Sequence, residues 1–221
     1  MNTSYAIGDL HGCSKTFRKL VLDVIKLKKT DELYCLGDYV DRGPDSKGVI
    51  DFILELREQG YHVFTLRGNH DQMMMDSNSN YEKFRHWVQN GGNATLKSFG
   101  IESYDELDSK YKTFLYETQY YFEIGNYILV HAGLNFRYDD PLEDTHAMMW
   151  IRGFSVDEKK LAGRIIVHGH TPLALDVIRE QAGQHVIDID GGCVYKQLTG
   201  LGHLVALNLT NGEFIAEENC E

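Results

Sequence analysis

The sequence predicts an α/β fold of two mixed β-sheets flanked by helices, with a small helical insertion, and three observations predict it. Short apolar runs alternate with helical stretches through the first third of the chain, in the order βαβαβ. Each of those runs ends in glycine followed by polar residues. Strand signals then dominate the second half, which implies a second sheet.

The elements follow in order. Tyr5–Ile7, Leu33–Leu36 and Val63–Leu66 read as buried parallel strands, being continuous and apolar rather than alternating. Thr16–Leu27 carries Phe17, Leu20, Val21, Val24, Ile25 and Leu27 at helical spacing, and Val49–Leu56 does the same with Ile50, Ile53, Leu54 and Leu56. Asp9, Asp38 and Asn69 are spaced by roughly 30 residues, one strand plus one crossover helix each. Residues 72–117 are helical and polar, clearest at Tyr81–Val88, with Gly91-Gly92 as a stop, and form the insertion within a single domain of residues 1–221. Strands are then expected at Tyr120–Ile124, Tyr127–His131, Ile165–His168, Leu175–Ile178, Val186–Ile189, Leu204–Leu209 and Phe214–Ala216. In a sheet of this kind, function gathers at the carboxyl ends of the strands.

Composition narrows the function classes. The 221 residues are 43% hydrophobic and carry 22 Lys+Arg against 33 Asp+Glu, a net charge of −11. Such a surface repels phosphate backbones, so nucleic acid is not an expected partner. Cys13, Cys35, Cys193 and Cys220 lack C-x-x-C spacing and read as reduced thiols. No apolar window of about 18 residues occurs and the first residues lack a basic region, so the expectation is a cytoplasmic protein with no membrane partner.

The chemistry lies in the strand ends: Gly8-Asp9-Leu10-His11-Gly12, Gly37-Asp38-Tyr39-Val40-Asp41-Arg42-Gly43, Arg67-Gly68-Asn69-His70-Asp71, His131-Ala132-Gly133 and His168-Gly169-His170-Thr171-Pro172. One Gly-Asp pair is ordinary turn chemistry. Five strand ends bearing Asp, His or Asn beside Gly are a ligand set. Carboxylate, imidazole and amide oxygen without thiolate suit Mn, Fe, Zn or a related divalent ion, and ligands converging on one sheet edge can hold two.

These motifs resemble those of the calcineurin-like metallophosphoesterases, and within them the phosphoprotein phosphatase family of serine/threonine phosphatases, whose small bacterial and phage lambda members match this chain in length. The resemblance runs from Asp9 to about Gly192 through the signature GDLHG, GDYVDRG, RGNHD. It implies that Asp9 and His11 bind a first metal, that Asp38 bridges two ions, and that Asn69, His131 and His170 complete the second. It further implies His70 as general acid with Asp41 orienting it, and Arg42 and Arg152 gripping phosphate oxygens. The cofactors implied are two divalent ions, with Mn²⁺ the ion to supply and Fe, Zn, Ni or Mg as alternatives.

The expected mechanism follows from those roles. Two bridged cations acidify a water to the hydroxide that attacks phosphorus. The guanidiniums match the equatorial oxygens. A protonated His70 beside Asp41 serves a seryl or threonyl alkoxide, a poor leaving group, an effect typically worth about 10²–10⁴-fold. The expected substrate is a phosphorylated protein at Ser or Thr, with phosphotyrosine also within reach.

Other candidates receive structural readings. His62, His86, His146, His185 and His203 read as ordinary polar residues, Arg67 as a structural pair former, and Met73-Met74-Met75 as core filling. His168 shares its strand face with His170, and Asp190-Gly191-Gly192 places an acid close to the ligands. The His70 motif ends in Asp71 where eukaryotic relatives carry Glu, and Gly169-His170-Thr171-Pro172 lacks the second histidine of Gly-His-x-His. The competing enzyme is a symmetrical bis(5'-nucleosyl)-tetraphosphatase, which shares fold and metals; Asp41 in the second motif argues for the phosphomonoesterase. A noncatalytic scaffold is disfavoured because His70 and all six ligand candidates are present.

Overall fold

The computed structural model describes residues 2–221. Strands β1 (Ser4–Ile7), β2 (Glu32–Cys35) and β3 (His62–Thr65) pair in parallel, with Ile7 opposite Cys35 and Cys35 opposite Thr65. Their carboxyl ends therefore lie level, and the loops that follow open onto one edge. Helix α1 (Ser14–Lys19) follows β1, α2 (Ser46–Glu58) follows β2, and α3 (Asn69–Asp76) starts directly after β3. Helices α4 (Tyr81–Trp87), α5 (Asn93–Phe99) and α6 (Ser109–Glu117) then precede the second half.

The second sheet has the order β4-β5-β6-β7, formed by β4 (Tyr121–Ile124), β5 (Tyr127–Val130), β6 (Ile165–His168) and β7 (Val186–Asp188). Between β5 and β6 lie α7 (Thr145–Trp150) and α8 (Glu158–Leu161), and between β6 and β7 lies α9 (Leu175–Glu180). The last strands, β8 (His203–Asn208) and β9 (Phe214–Glu218), return to the first sheet, giving β3-β2-β1-β8-β9 with β8 antiparallel to β1.

Strand alternation sorts the core into layers. Ala6, Tyr34, Leu36 and Leu66 point inward to meet Leu129, Val167 and Ile187 of the second sheet. Their neighbours Ile7, Leu33 and Cys35 face the other way, onto Phe17, Ile50, Ile53, Met74 and Trp87. Ile128, Val130 and Ile166 likewise pack on Met148 and Leu161. Helices thus cover both outer faces of two stacked sheets, the two-sheet α/β architecture the sequence predicts.

Two elements differ from expectation. Leu175–Ile178 is helical, because β6 and β7 are parallel neighbours and their link must cross over; Ile178 is buried while Val177 stays 43% exposed. Thr16–Leu27 is not one regular helix: after Lys19 the turn widens to a π-helix over Leu20–Ile25, ending at Lys26 with φ 55°. Leu27 donates its N–H to the Val21 carbonyl and enters the core, whereas Val24, placed on the apolar face by periodicity, is 40% exposed. Among the described residues no helix is long and apolar enough to cross a membrane, and Cys13, Cys35, Cys193 and Cys220 are free thiols.

Candidate metal centre

The level strand ends bring Asp9, His11, Asp38, Asn69, His70, His131 and His170 together as a buried group. Backbone conformation shows how tightly the chain is folded there. Among the described residues seven non-glycine residues have positive φ, and five of them are His11, Asp38, Asp41, Arg42 and His170. Such conformations cost roughly 1–3 kcal/mol each and persist only where surrounding structure enforces them. Glycine supplies the room: a Cβ on Gly68 would collide with the Asp38 carboxylate, and one on Gly169 with that of Asp9.

Hydrogen bonds fix the imidazoles. His131 Nδ1 lies 2.9 Å from the Leu36 carbonyl, and His11 Nδ1 lies 2.8 Å from the Val40 carbonyl. A carbonyl only accepts, so both rings carry their proton on Nδ1 and turn an Nε2 lone pair to the centre. His131 Nε2 then sits 3.0 Å from Asn69 Oδ1 and 3.6 Å from Asp38 Oδ2. His11 Nε2 is 3.4 Å from Asp38 Oδ2 and also meets Arg42 Nη1. His170 Nε2 is buried without any hydrogen-bond partner, while its Nδ1 lies 2.9 Å from Asn69 Oδ1.

Electrostatics point the same way. Burial, with Asp190 alongside, holds the Asp9 pKa well above its usual range; burial and Asp71 do the same to Asp38. Burial, then Arg42, pushes His11 down to about 3, and burial, then Arg152, pushes His170 to about 3. Burial, then His170, lowers His131 well below its usual value. Neutral imidazoles and carboxylates that resist ionisation are what converging lone pairs become without a cation between them. The donor set therefore fits divalent metal: His11, Asp38 and His70 offer atoms within 4.8 Å of one another, as do Asp38, His131 and His170.

His70 also belongs to a second arrangement. Its Nδ1 lies 2.7 Å from Asp41 Oδ2, and its ring stands edge-on to His11 at 4.8 Å. Asp41 in turn accepts from Trp87 Nε1 and Thr95 Oγ1. Burial raises the Asp41 pKa to about 8 despite these donors, and burial, then His11, lowers that of His70. Arg42 is held through its N–H to the Gly91 carbonyl and lies 5.6 Å over the Tyr195 ring. Arg152, just past α7, is exposed and donates to Thr171 Oγ1 at 3.2 Å.

Periodicity and motif reading did not find Trp87, Gly91, Thr95 or Tyr195. The first three lie in the helical segment, and the only sequence signal was the Gly91-Gly92 stop. Arg67 donates to the Leu115 and Tyr116 carbonyls and to Thr118 Oγ1, tying β3 to α6, and Met73 and Met74 are core residues. His168 stands apart from the ligand groups, 3.8 Å from Asp188. Asp190 accepts from Gly192 N and touches no ligand candidate by hydrogen bond. Asp71 accepts from the N–H groups of Asp38, Tyr39 and Gly68 and so shapes the loop that presents Asp38.

Convergent oxygen and nitrogen lone pairs flanked by arginines make a site suited to holding metal ions. The chain belongs to the calcineurin-like phosphoesterase family, whose model matches residues 3–199. It is a metallophosphoesterase, of a family that uses a dinuclear divalent metal site. The chain is 36% identical over 133 residues to a symmetrical bis(5'-nucleosyl)-tetraphosphatase of Nitrosospira multiformis, covering 59% of this chain and 43% of that one. It is 35% identical over 88 residues to serine/threonine-protein phosphatase 1 of Salmonella typhimurium, covering 40% of this chain and 38% of that one. The matches thus span less than half the length of these curated relatives. A solved cold-active protein-tyrosine phosphatase of a psychrophilic Shewanella shares the fold, with TM-score 0.66 over 98% of this chain and 77% of that one at 16% identity.

Proposed function

We propose that this chain is a two-metal phosphohydrolase whose substrates are bis(5'-nucleosyl) tetraphosphates. The observation that carries the chemistry is the convergence of His131 Nε2, Asn69 Oδ1 and Asp38 Oδ2, lone pairs placed as they would be around a cation. The tetraphosphatase name shared by most of the similar curated relatives supports the substrate class over the Ser/Thr phosphoprotein expected from the motifs.

Asp9, His11 and Asp38 would hold one ion, and Asp38, Asn69, His131 and His170 the other. When bound, the pair supplies a water acidic enough to attack near neutral pH and positive charge for the phosphoryl oxygens. Arg42 and Arg152 orient the transferring phosphate through planar donors. Hydrolysis of the central anhydride consumes one water, breaks the bond between the second and third phosphates, and sends the electron pair out on one nucleoside diphosphate. His70, aligned by Asp41, would deliver a proton to that departing oxygen.

A second reading has its own observation. The 2.7 Å Asp41–His70 contact suits an alkoxide, which needs a proton far more than a nucleoside diphosphate does, and so favours phosphoseryl or phosphothreonyl substrates. Side-by-side kcat/KM for diadenosine tetraphosphate and a phosphothreonine peptide, with Mn²⁺, separates the two. Preference for the dinucleotide is expected; preference for the peptide overturns the proposal and installs the second reading.

A further inference from the structure

Beside the metal centre, the segment after His131 and the segment around Arg152 enclose a cavity of about 730 Å³. Its wall combines the side chains of Leu134, Phe136, Ile151 and Phe154 with the polar Asn135 and the exposed Arg137. A second cavity of about 290 Å³ shares Ile151, Gly153 and Phe154 with it and reaches Ala132, His168 and Thr171. Ala132 follows His131 and Thr171 follows His170, so the two cavities form a path from the metal ligands outward. The volume is that of a small-molecule site, and the wall is mixed, with Ser155 and the Asp157 carboxylate joining Asn135 and Arg137 beside the apolar side chains.

We propose that this cavity is a nucleoside subsite, in which Phe154 and Phe136 hold the base of the substrate half that is not expelled. Three observations carry the assignment. The Phe136 and Phe154 rings lie nearly parallel, 22° apart with centroids 6.3 Å apart, and present flat apolar surface to a flat ligand. Arg137 lines the cavity, with Asp157 also in its wall, and Arg152 donates to Thr171 beside the ligand His170, so a guanidinium stands at either end of the path a phosphate chain would take. Position also matters: the acid candidates His70 and Asp41 sit against His11, whereas the cavity opens beside the residues that follow His131 and His170. A phosphomonoester has one organic substituent, which leaves from the His70 side. A dinucleoside polyphosphate has two, and the second requires a place of its own.

Gly133 is part of the construction. Its φ is 154°, and a Cβ there would collide with the Phe154 ring, so the ring lies directly on the backbone that follows the ligand His131. Phe154 also stands edge-on to His168, centroids 5.7 Å apart. These contacts give His168 and the His131-Ala132-Gly133 turn a role outside metal ligation, as the floor of the subsite.

The proposal rests on the tetraphosphate reading, and the experiment separates their failures. Adenosine, which carries no phosphate, is titrated by NMR into wild type, Phe154→Ala and Ser155→Trp, the last filling the mouth of the cavity without removing core packing. In parallel, KM and kcat are measured with Mn²⁺ on diadenosine tetraphosphate and on p-nitrophenyl phosphate. Adenosine binding to wild type, about ten- to hundredfold weaker in both variants, is expected, with KM for the dinucleotide raised similarly and turnover of p-nitrophenyl phosphate unchanged in Ser155→Trp. No turnover of the dinucleotide by wild type, with adenosine binding lost in the variants, sinks the tetraphosphate reading and leaves the subsite. Failure of wild type to bind adenosine, or variants that bind it equally, overturns the subsite. So does a raised KM for a phosphothreonine peptide alone, which would make the cavity a peptide groove.

Discussion

Trp87 Nε1 donates to both carboxylate oxygens of Asp41, at 2.9 and 3.0 Å, and Asp41 accepts the His70 imidazole on the same carboxylate. An indole from the helical segment therefore sets the angle of an acid that belongs to the β2 loop. Trp87→Phe keeps the ring in the core and removes the donor. Its kcat is expected to fall about tenfold or more on a substrate whose leaving oxygen needs a proton, and less on p-nitrophenyl phosphate. Equal losses on both would mean that Trp87 acts through packing alone.

His70→Asn tests the acid itself. The variant is expected to keep a metal-induced rise in Tm while losing about 10²–10⁴ in kcat on alkyl phosphoesters, with a smaller loss on p-nitrophenyl phosphate. A variant that loses the Tm shift instead would place His70 among the ligands, where its proximity to His11 and Asp38 would also allow it.

Metal binding should be visible as stability. An ion held by the folded chain alone adds about 2.7 kcal/mol at 100 times its Kd, so Tm should rise with Mn²⁺ and fall back with a chelator. Asp38→Asn, which removes the charge shared by both ligand groups, is expected to abolish the shift and the activity together. An Asp38→Asn protein with full activity would overturn the bridging role.

Asp144 provides a test remote from the centre. It caps α7 by accepting from Ala147 N at 3.0 Å and holds Asn135 at 2.8 Å, and these bonds lower its pKa. A lowered folded pKa contributes stability that is present above the unfolded pKa and lost as pH falls through the folded one. Asp144→Ala should cost about 1 kcal/mol at neutral pH, and urea midpoints of the two proteins should converge as pH drops below the ordinary carboxylate value. A difference that persists unchanged into acid would assign the loss to packing.

The sequence by itself determined the βαβαβ start, the two sheets and the strand ends that carry Asp9, His11, Asp38, Asn69, His131 and His170, because each depends on local signals: apolar runs, glycine turns and polar residues at fixed offsets. Only tertiary structure decided which way Leu175–Ile178 folds, since four residues with mixed periodicity satisfy strand or helix and the parallel pairing of β6 with β7 forces the crossover. Tertiary structure alone also decided that Trp87 and Thr95 serve Asp41, 46 and 54 residues away in sequence, and that Tyr195 lies under Arg42. Partners so distant leave no period and no motif; they meet because buried donors and acceptors must find one another, and which ones meet depends on how the layers close.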